Sequence, residues 1–259
     1  MPDIKIEEIG SIITITLNAP KDQNRLTPAA LEEMGCVINR LAVNDKVNVV
    51  VITGAGSVFF SAGLLNPTIR NKMSKKEVID FVLLANKVFD ELAALPQITI
   101  AAINGNIMAG AVELALACDI RLAAETATLS MPEASWGGFP GAGAPHRLAM
   151  AVGHARALEI ICTGRELSAS EMENYNLVQH IYPTRKLQEN SMKMAKTISA
   201  KGPLATRGTK KIVRERLLPG FTEARSLSDS LREELEWSDD VAEGLRAHRE
   251  GRKPHFKGS

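Results

Sequence analysis

The spacing of apolar positions changes several times along the chain, and each change marks an element. Ile4-Lys5-Ile6-Glu7 alternates apolar with polar, and Ile12 to Leu17 is a β-branched run. Glu8-Ile9-Gly10-Ser11 between them reads as a turn, so the chain opens on a hairpin. Asn18 to Asn24, which includes Pro20, reads as a loop. Thr27-Pro28 has the form of an N-cap followed by proline at the first helical position. Leu31, Met34, Val37, Ile38 and Leu41 then recur at helical spacing. Val49 to Thr53 and Ile98 to Ile103 are almost wholly apolar, as strands buried on both faces are. Between them, Ser74 caps a helix with Val78, Phe81, Val82, Ala85, Val88 and Phe89 on one face. A short apolar helix opens at Gly110 and runs to Ala117, and Asp119 to Ala123 is the next strand. This alternation predicts an α/β layered fold.

Past about Gly143 the strand signals nearly vanish. Ala151 to Cys162, Ser168 to Asn174, Leu187 to Ala200, Pro203 to Glu215, Ser226 to Glu236 and Asp240 to Arg249 all read as helix. These helices predict a subdomain packed on the sheet or used for self-association. The closing Arg249–Ser259 segment, with Arg252, Lys253 and Lys257, reads as a solvated tail; the alternative is contact with an anionic ligand or a neighbouring subunit.

Composition narrows the class. At 259 residues, 45% apolar and 24% charged, the chain has ordinary globular composition and can bury a full core. Thirty-one basic against thirty acidic residues leave +1, so there is no global basic field for nucleic acid or an anionic membrane. Cys36, Cys118 and Cys162 are too few and too scattered for a disulfide framework or a cysteine zinc site, and the histidines show no metal-ligand spacing. No apolar run reaches the ~18–20 residues of a membrane span, and charged residues follow Met1 at once. The expectation is a soluble cytoplasmic protein. Gly54-Ala55-Gly56 lacks the third glycine of a dinucleotide fingerprint, and no P-loop or Gly-x-Ser-x-Gly motif occurs.

Three segments carry the chemistry that remains. Phe60-Ser61-Ala62-Gly63-Leu64 is a small-residue turn after a buried strand. Ile103 to Glu113 leaves another buried strand and opens a helix at Gly110, so free amides and the positive helix end face whatever lies in front of Gly110. Two such donors brought together form an oxyanion hole. Glu113 lies in an otherwise apolar run, and Glu133 lies in the Gly/Pro-rich stretch Met131 to Gly141. Carboxylates in such surroundings either split into an acid and a base or serve as structural acceptors for backbone amides. The residues alone leave both readings open.

Taken together, these segments resemble the enoyl-CoA hydratase/isomerase (crotonase) superfamily, and the likeness covers nearly the whole chain. It is carried by Leu17-Asn18-Ala19-Pro20 with Asn24, Val51-Ile52-Thr53-Gly54, Phe60-Ser61-Ala62-Gly63 and Ala102-Ile103-Asn104-Gly105. Glu113 to Asp119, Pro132-Glu133, Pro140-Gly141-Ala142-Gly143, Arg147-Leu148, Glu243-Gly244 and Arg252-Lys253-Pro254 complete it. The resemblance implies a crotonase-like α/β spiral of ββα repeats, taken as residues 1–200, with a helical C-terminal trimerisation region at 201–259. It implies homotrimers or homohexamers acting on acyl-CoA thioesters, with no cofactor because coenzyme A is part of the substrate. It maps the oxyanion-hole amides to Leu64 and Gly110 and the catalytic pair to Glu113 and Glu133. Ala62, Trp136, Gly137, Phe139, Gly141 and Arg25 are expected to contact substrate; Trp136 and Phe139 stand where aliphatic residues are more usual, and Arg25, which replaces a usual small residue, meets either a phosphate or solvent. Isomerases of the family often keep only the carboxylate at the Glu133 position, so the retained pair favours hydration. The chain departs from the family pattern at Leu65, where many members carry Asp, and at Ala109, where a glycine is usual. Asn66 to Phe89 is expected to form one wall of the acyl pocket.

Overall fold

The opening hairpin forms as its alternation predicts. In the computed structural model, which describes residues 3–217 and 221–254, β1 (Ile4–Ile9) pairs antiparallel with β2 (Ile12–Leu17), setting Ile6 opposite Ile15. β2 then pairs in parallel with β3 (Val49–Gly54), in which every residue is buried. A strand so enclosed must be covered on both faces, and helices provide the cover. Between β2 and β3, α1 (Pro28–Ala42) starts where Thr27 Oγ1 accepts the Ala30 N–H. It buries Leu31, Met34, Val37, Ile38 and Leu41.

A short strand leaves the large sheet after β3. This strand, β4 (Phe59–Ser61), precedes α2 (Pro67–Arg70) and α3 (Lys75–Ala94), which a Ser74/Glu77 capping box opens. The pattern repeats as β5 (Ile98–Ile103), β6 (Asn106–Met108) and α4 (Gly110–Ala117). It repeats again as β7 (Ile120–Ala124), β8 (Thr128–Ser130) and a 3₁₀ turn over Pro132–Trp136. The chain is therefore a spiral of ββα units. The first strands of the units build a six-stranded sheet in the order β1-β2-β3-β5-β7-β10, and the second strands build a four-stranded sheet in the order β4-β6-β8-β9. Here β9 is Leu167–Ser168 and β10 is His180–Tyr182. In the smaller sheet β4, β6 and β8 run parallel.

Buried amide side chains hold the chain where it leaves β3. Asn104 Oδ1 accepts from Gly54 N (2.9 Å), and its Nδ2 donates to the Gly56 carbonyl (2.8 Å). Asn24 Nδ2 donates to the Ala55 and Phe59 carbonyls. A Cβ at Gly105 would lie 2.5 Å from the Val58 carbonyl, so only glycine fits that crossing.

After the 3₁₀ turn the chain is mainly helical, as the sequence predicts, though β9 and β10 interrupt it. One expectation needs correction. The helix expected from Ala151 to Cys162 is two: α5 (Ala144–Val152) and α6 (His154–Thr163), divided at Gly153 with φ 78°. Pro145 lies in the first turn of α5, where its missing N–H has no helical partner to lose. Then follow α7 (Ala169–Asn174), α8 (Leu187–Ser199), α9 (Pro203–Leu217), α10 (Phe221–Glu236) and α11 (Asp239–Glu250). Lys210 of α9 is buried and donates to the Gln97 carbonyl (2.7 Å) and Asp119 Oδ2 (2.6 Å), anchoring the helix on the large sheet. Arg252 turns back onto Glu243 at 2.6 Å, so the start of the basic segment is bonded to its own helix. Lys257 lies outside the described residues.

Candidate active site

Three chain segments leave the parallel strands of the smaller sheet at one end. Each carries a residue singled out in the sequence: Leu64 follows β4, Gly110 follows β6 and Glu133 follows β8. Ala109 N donates to the Ser130 carbonyl (3.0 Å), which ties the second segment to the third. The first and second segments touch at Gly63, whose φ is +78°. A Cβ there would lie 2.5 Å from the Met108 carbonyl oxygen and 2.8 Å from the Gly110 nitrogen. A Cβ at Gly110 would lie 2.5 Å from Leu64 Cγ. The two amides are therefore close, and neither N–H donates to an acceptor among the described residues. Ala109 adopts φ 52° and ψ −127° at the N-cap of α4, a region that L residues rarely occupy. Conformations of this kind cost about 1–3 kcal/mol and persist where the surrounding structure enforces them.

Glu113 sits in the first turn of α4 and is 2% exposed. Its Oε1 accepts from Ala142 N (2.7 Å) and Ala144 N (3.0 Å). These charge-assisted bonds offset the desolvation of a buried carboxylate and fix its direction. Arg147, also buried, supports that loop: its Nη1 donates to the Ala142 carbonyl (3.1 Å), and its Nη2 pairs with Asp90. Burial pulls the Arg147 guanidinium below its ordinary value, while Asp90 and Glu113 oppose the shift.

Beside Arg147, burial and then the positive charges of Arg147 and Arg225 push His146 down to about 3. Below pH ~6.5 the unfolded imidazole binds a proton that the folded one does not. This contribution to stability is full above that pH and falls as the pH drops toward 3. Denaturant midpoints measured from pH 7.5 to 4.5 are expected to decline less steeply in His146→Gln than in the parent chain.

Glu133 is half-buried in the 3₁₀ turn over Pro132–Trp136, which Gly137 closes at φ 73°. Its carbonyl accepts from Gly138 N at 2.9 Å. Helix α11 packs on this turn through Gly244, where any Cβ would run into the Trp136 carbonyl.

The structure brings Leu64, Gly110, Glu113, Glu133, Trp136, Phe139 and Gly141 onto one cavity of about 50 Å³. Leu65, Asn66, Pro67, Arg70 and Val82 line another side, so the segment after Leu64 does contribute a wall. Three residues mapped to substrate binding are not on the lining. Ala62 is buried, with its amide on the Gln23 carbonyl (3.0 Å). Arg25 reaches the Ala62 carbonyl (3.5 Å) and Asp22 (3.5 Å), and Gly137 lies behind Trp136 in the turn. Sequence reasoning did not single out Arg70 within that segment, and it missed Leu245, which α11 brings to the cavity. Leu245 has no signal in the sequence, because its position depends on the Gly244 contact. Among the described residues no group of His, Cys, Asp and Glu is arranged to hold a metal ion, and no helix is long and apolar enough to cross a membrane.

Comparison with known proteins agrees with this architecture. A family model described as enoyl-CoA hydratase/isomerase matches residues 7–259. YngF of Bacillus subtilis, provisionally named an enoyl-CoA hydratase/isomerase, is 36% identical over 244 residues, 94% of each chain. A short-chain-enoyl-CoA hydratase of Clostridium acetobutylicum is 30% identical over 97% of this chain and 96% of its own. The crystal structure of an enoyl-CoA hydratase from Bacillus anthracis superposes with a TM-score of 0.81 at 34% identity, covering 99% of this chain and 100% of that one.

Proposed function

Since the chain belongs to the enoyl-CoA hydratase/isomerase family, we propose that it adds water reversibly across the α,β double bond of an enoyl-CoA thioester, giving 3-hydroxyacyl-CoA. The observation that carries this reading is the presence of two glutamates, Glu113 and Glu133, on one cavity with two amides that have no acceptor among the described residues.

The thioester oxygen accepts from Leu64 N–H and Gly110 N–H. Enolate charge develops on that oxygen as a nucleophile adds to the β-carbon, and fixed donors stabilise it without reorganising. Water held between the carboxylates is deprotonated by Glu113 and attacks the β-carbon. Glu133 delivers a proton to the α-carbon and takes it back in dehydration. The buried loop amides that fix Glu113 support its role as the group that orients water. The reaction requires no cofactor, since coenzyme A enters with the substrate. Active molecules are homotrimers or homohexamers.

Incubation with crotonyl-CoA in ¹⁸O-water is the direct test. The expected product is 3-hydroxybutyryl-CoA carrying one ¹⁸O at carbon 3. A product that is a shifted double-bond isomer without ¹⁸O would replace hydration with isomerisation on the same scaffold.

A further inference from the structure

Among the described residues the cavity lining carries one cation, Arg70, and its environment differs from that of an ordinary buried ion pair. Arg70 ends the short helix α2 and is 7% exposed. Its Nη2 pairs with Glu236, itself 3% exposed, at the end of α10. Its Nε is buried with no hydrogen-bond acceptor among the described residues. An N–H left in that state is disfavoured by the full desolvation of the group. Arg70 lines the same cavity as Glu113 and Glu133.

We propose that Arg70 determines acyl specificity, and that the substrate's acyl group carries an uncharged oxygen (keto or hydroxyl) beyond the double bond, accepting from Arg70 Nε. This rests on the hydratase reading and names its substrate class. The charge balance selects a neutral acceptor. Glu236 already neutralises the guanidinium, and Glu113 and Glu133 share the lining, so a further carboxylate would add like charge to a low-dielectric space. A wholly apolar acyl chain leaves the Nε–H unsatisfied.

Three saturated CoA esters of similar size test this by calorimetric titration: 4-oxopentanoyl-CoA and 4-methylpentanoyl-CoA, which have the same shape, and glutaryl-CoA, which carries a carboxylate. None is hydrated, so the readout is independent of turnover. The oxo ester is expected to bind about tenfold or more tightly than the methyl ester, the range for a hydrogen bond from a charged donor. The glutaryl ester is expected to bind no better than the methyl one. In Arg70→Met/Glu236→Met, which removes both charges so that neither is stranded, the oxo preference is expected to vanish while the methyl ester still binds. Equal binding of oxo and methyl esters by the parent chain, preference for the glutaryl ester, or an oxo preference that survives in the double variant would each overturn the proposal. If none of the three esters binds, the CoA-ester reading fails together with this one.

Discussion

Replacing either glutamate with glutamine is expected to reduce kcat for crotonyl-CoA hydration about 10³-fold, within the 10²–10⁴ range for loss of a positioned acid or base. Binding of a saturated CoA ester is expected to stay within a few-fold of the parent. Glutamine suits the experiment because of what surrounds Glu113. Its carboxamide oxygen still accepts from Ala142 N and Ala144 N, so the loop keeps its anchor while the proton acceptor is lost. Glu113→Ala instead strands two buried donors, each costing about 1–3 kcal/mol, and is expected to lower stability as well as rate. A glutamate that was only a structural acceptor would show the reverse pattern, with full turnover in Glu113→Gln and destabilisation in Glu113→Ala. Stopped-flow hydration rates and denaturant midpoints on the three variants separate the two readings. Full activity in either glutamine variant would end the two-carboxylate mechanism.

Much of this arrangement was legible in the sequence, for an identifiable reason. The long strands β3 and β5 are buried on both faces, so their apolar runs have one interpretation. Helices α1 and α3 carry both caps and a helical period. The smaller sheet was not legible: β4, β6 and β8 have three residues each, too few for any period to register. Their turns are nonetheless written in single residues. Asn24, Gly54, Asn104 and Gly105, all within segments that carried the family resemblance, are the residues that hold the crossing from the large sheet to the small one. The site divides in the same way. Leu64, Gly110, Glu113 and Glu133 lie within a few residues of strand ends or a helix start, so local pattern finds them. Arg70 and Leu245 reach the cavity through the packing of α2, α10 and α11, which joins residues far apart in the chain. No local pattern encodes such a meeting. Arg25, read in the sequence as meeting either a phosphate or solvent, has its guanidinium against Ala62 and Asp22.

Gly63→Ala is expected to reduce turnover about 10²–10³-fold, as much as removing an oxyanion donor outright, although it deletes no functional group. The added methyl faces backbone on both sides: the Met108 carbonyl oxygen at 2.5 Å and the Gly110 nitrogen at 2.8 Å. Neither can turn away as a flexible side chain would, so the segments bearing Leu64 and Gly110 must separate. The residue must also hold φ +78°, which alanine disfavours, and a stability loss of about 1–3 kcal/mol is expected alongside. General damage is distinguished from a spoiled oxyanion hole by comparing two ligands, butyryl-CoA and its thioether analogue S-butyl-CoA. They differ only in the carbonyl oxygen that the amides grip. The parent chain is expected to prefer the thioester, and the variant to bind both alike, because loosened amides lose the carbonyl contact while coenzyme A and acyl contacts persist. A folded Gly63→Ala protein that keeps both its rate and its thioester preference would mean that the close approach at Gly63 serves packing alone, and that the developing negative charge is stabilised elsewhere.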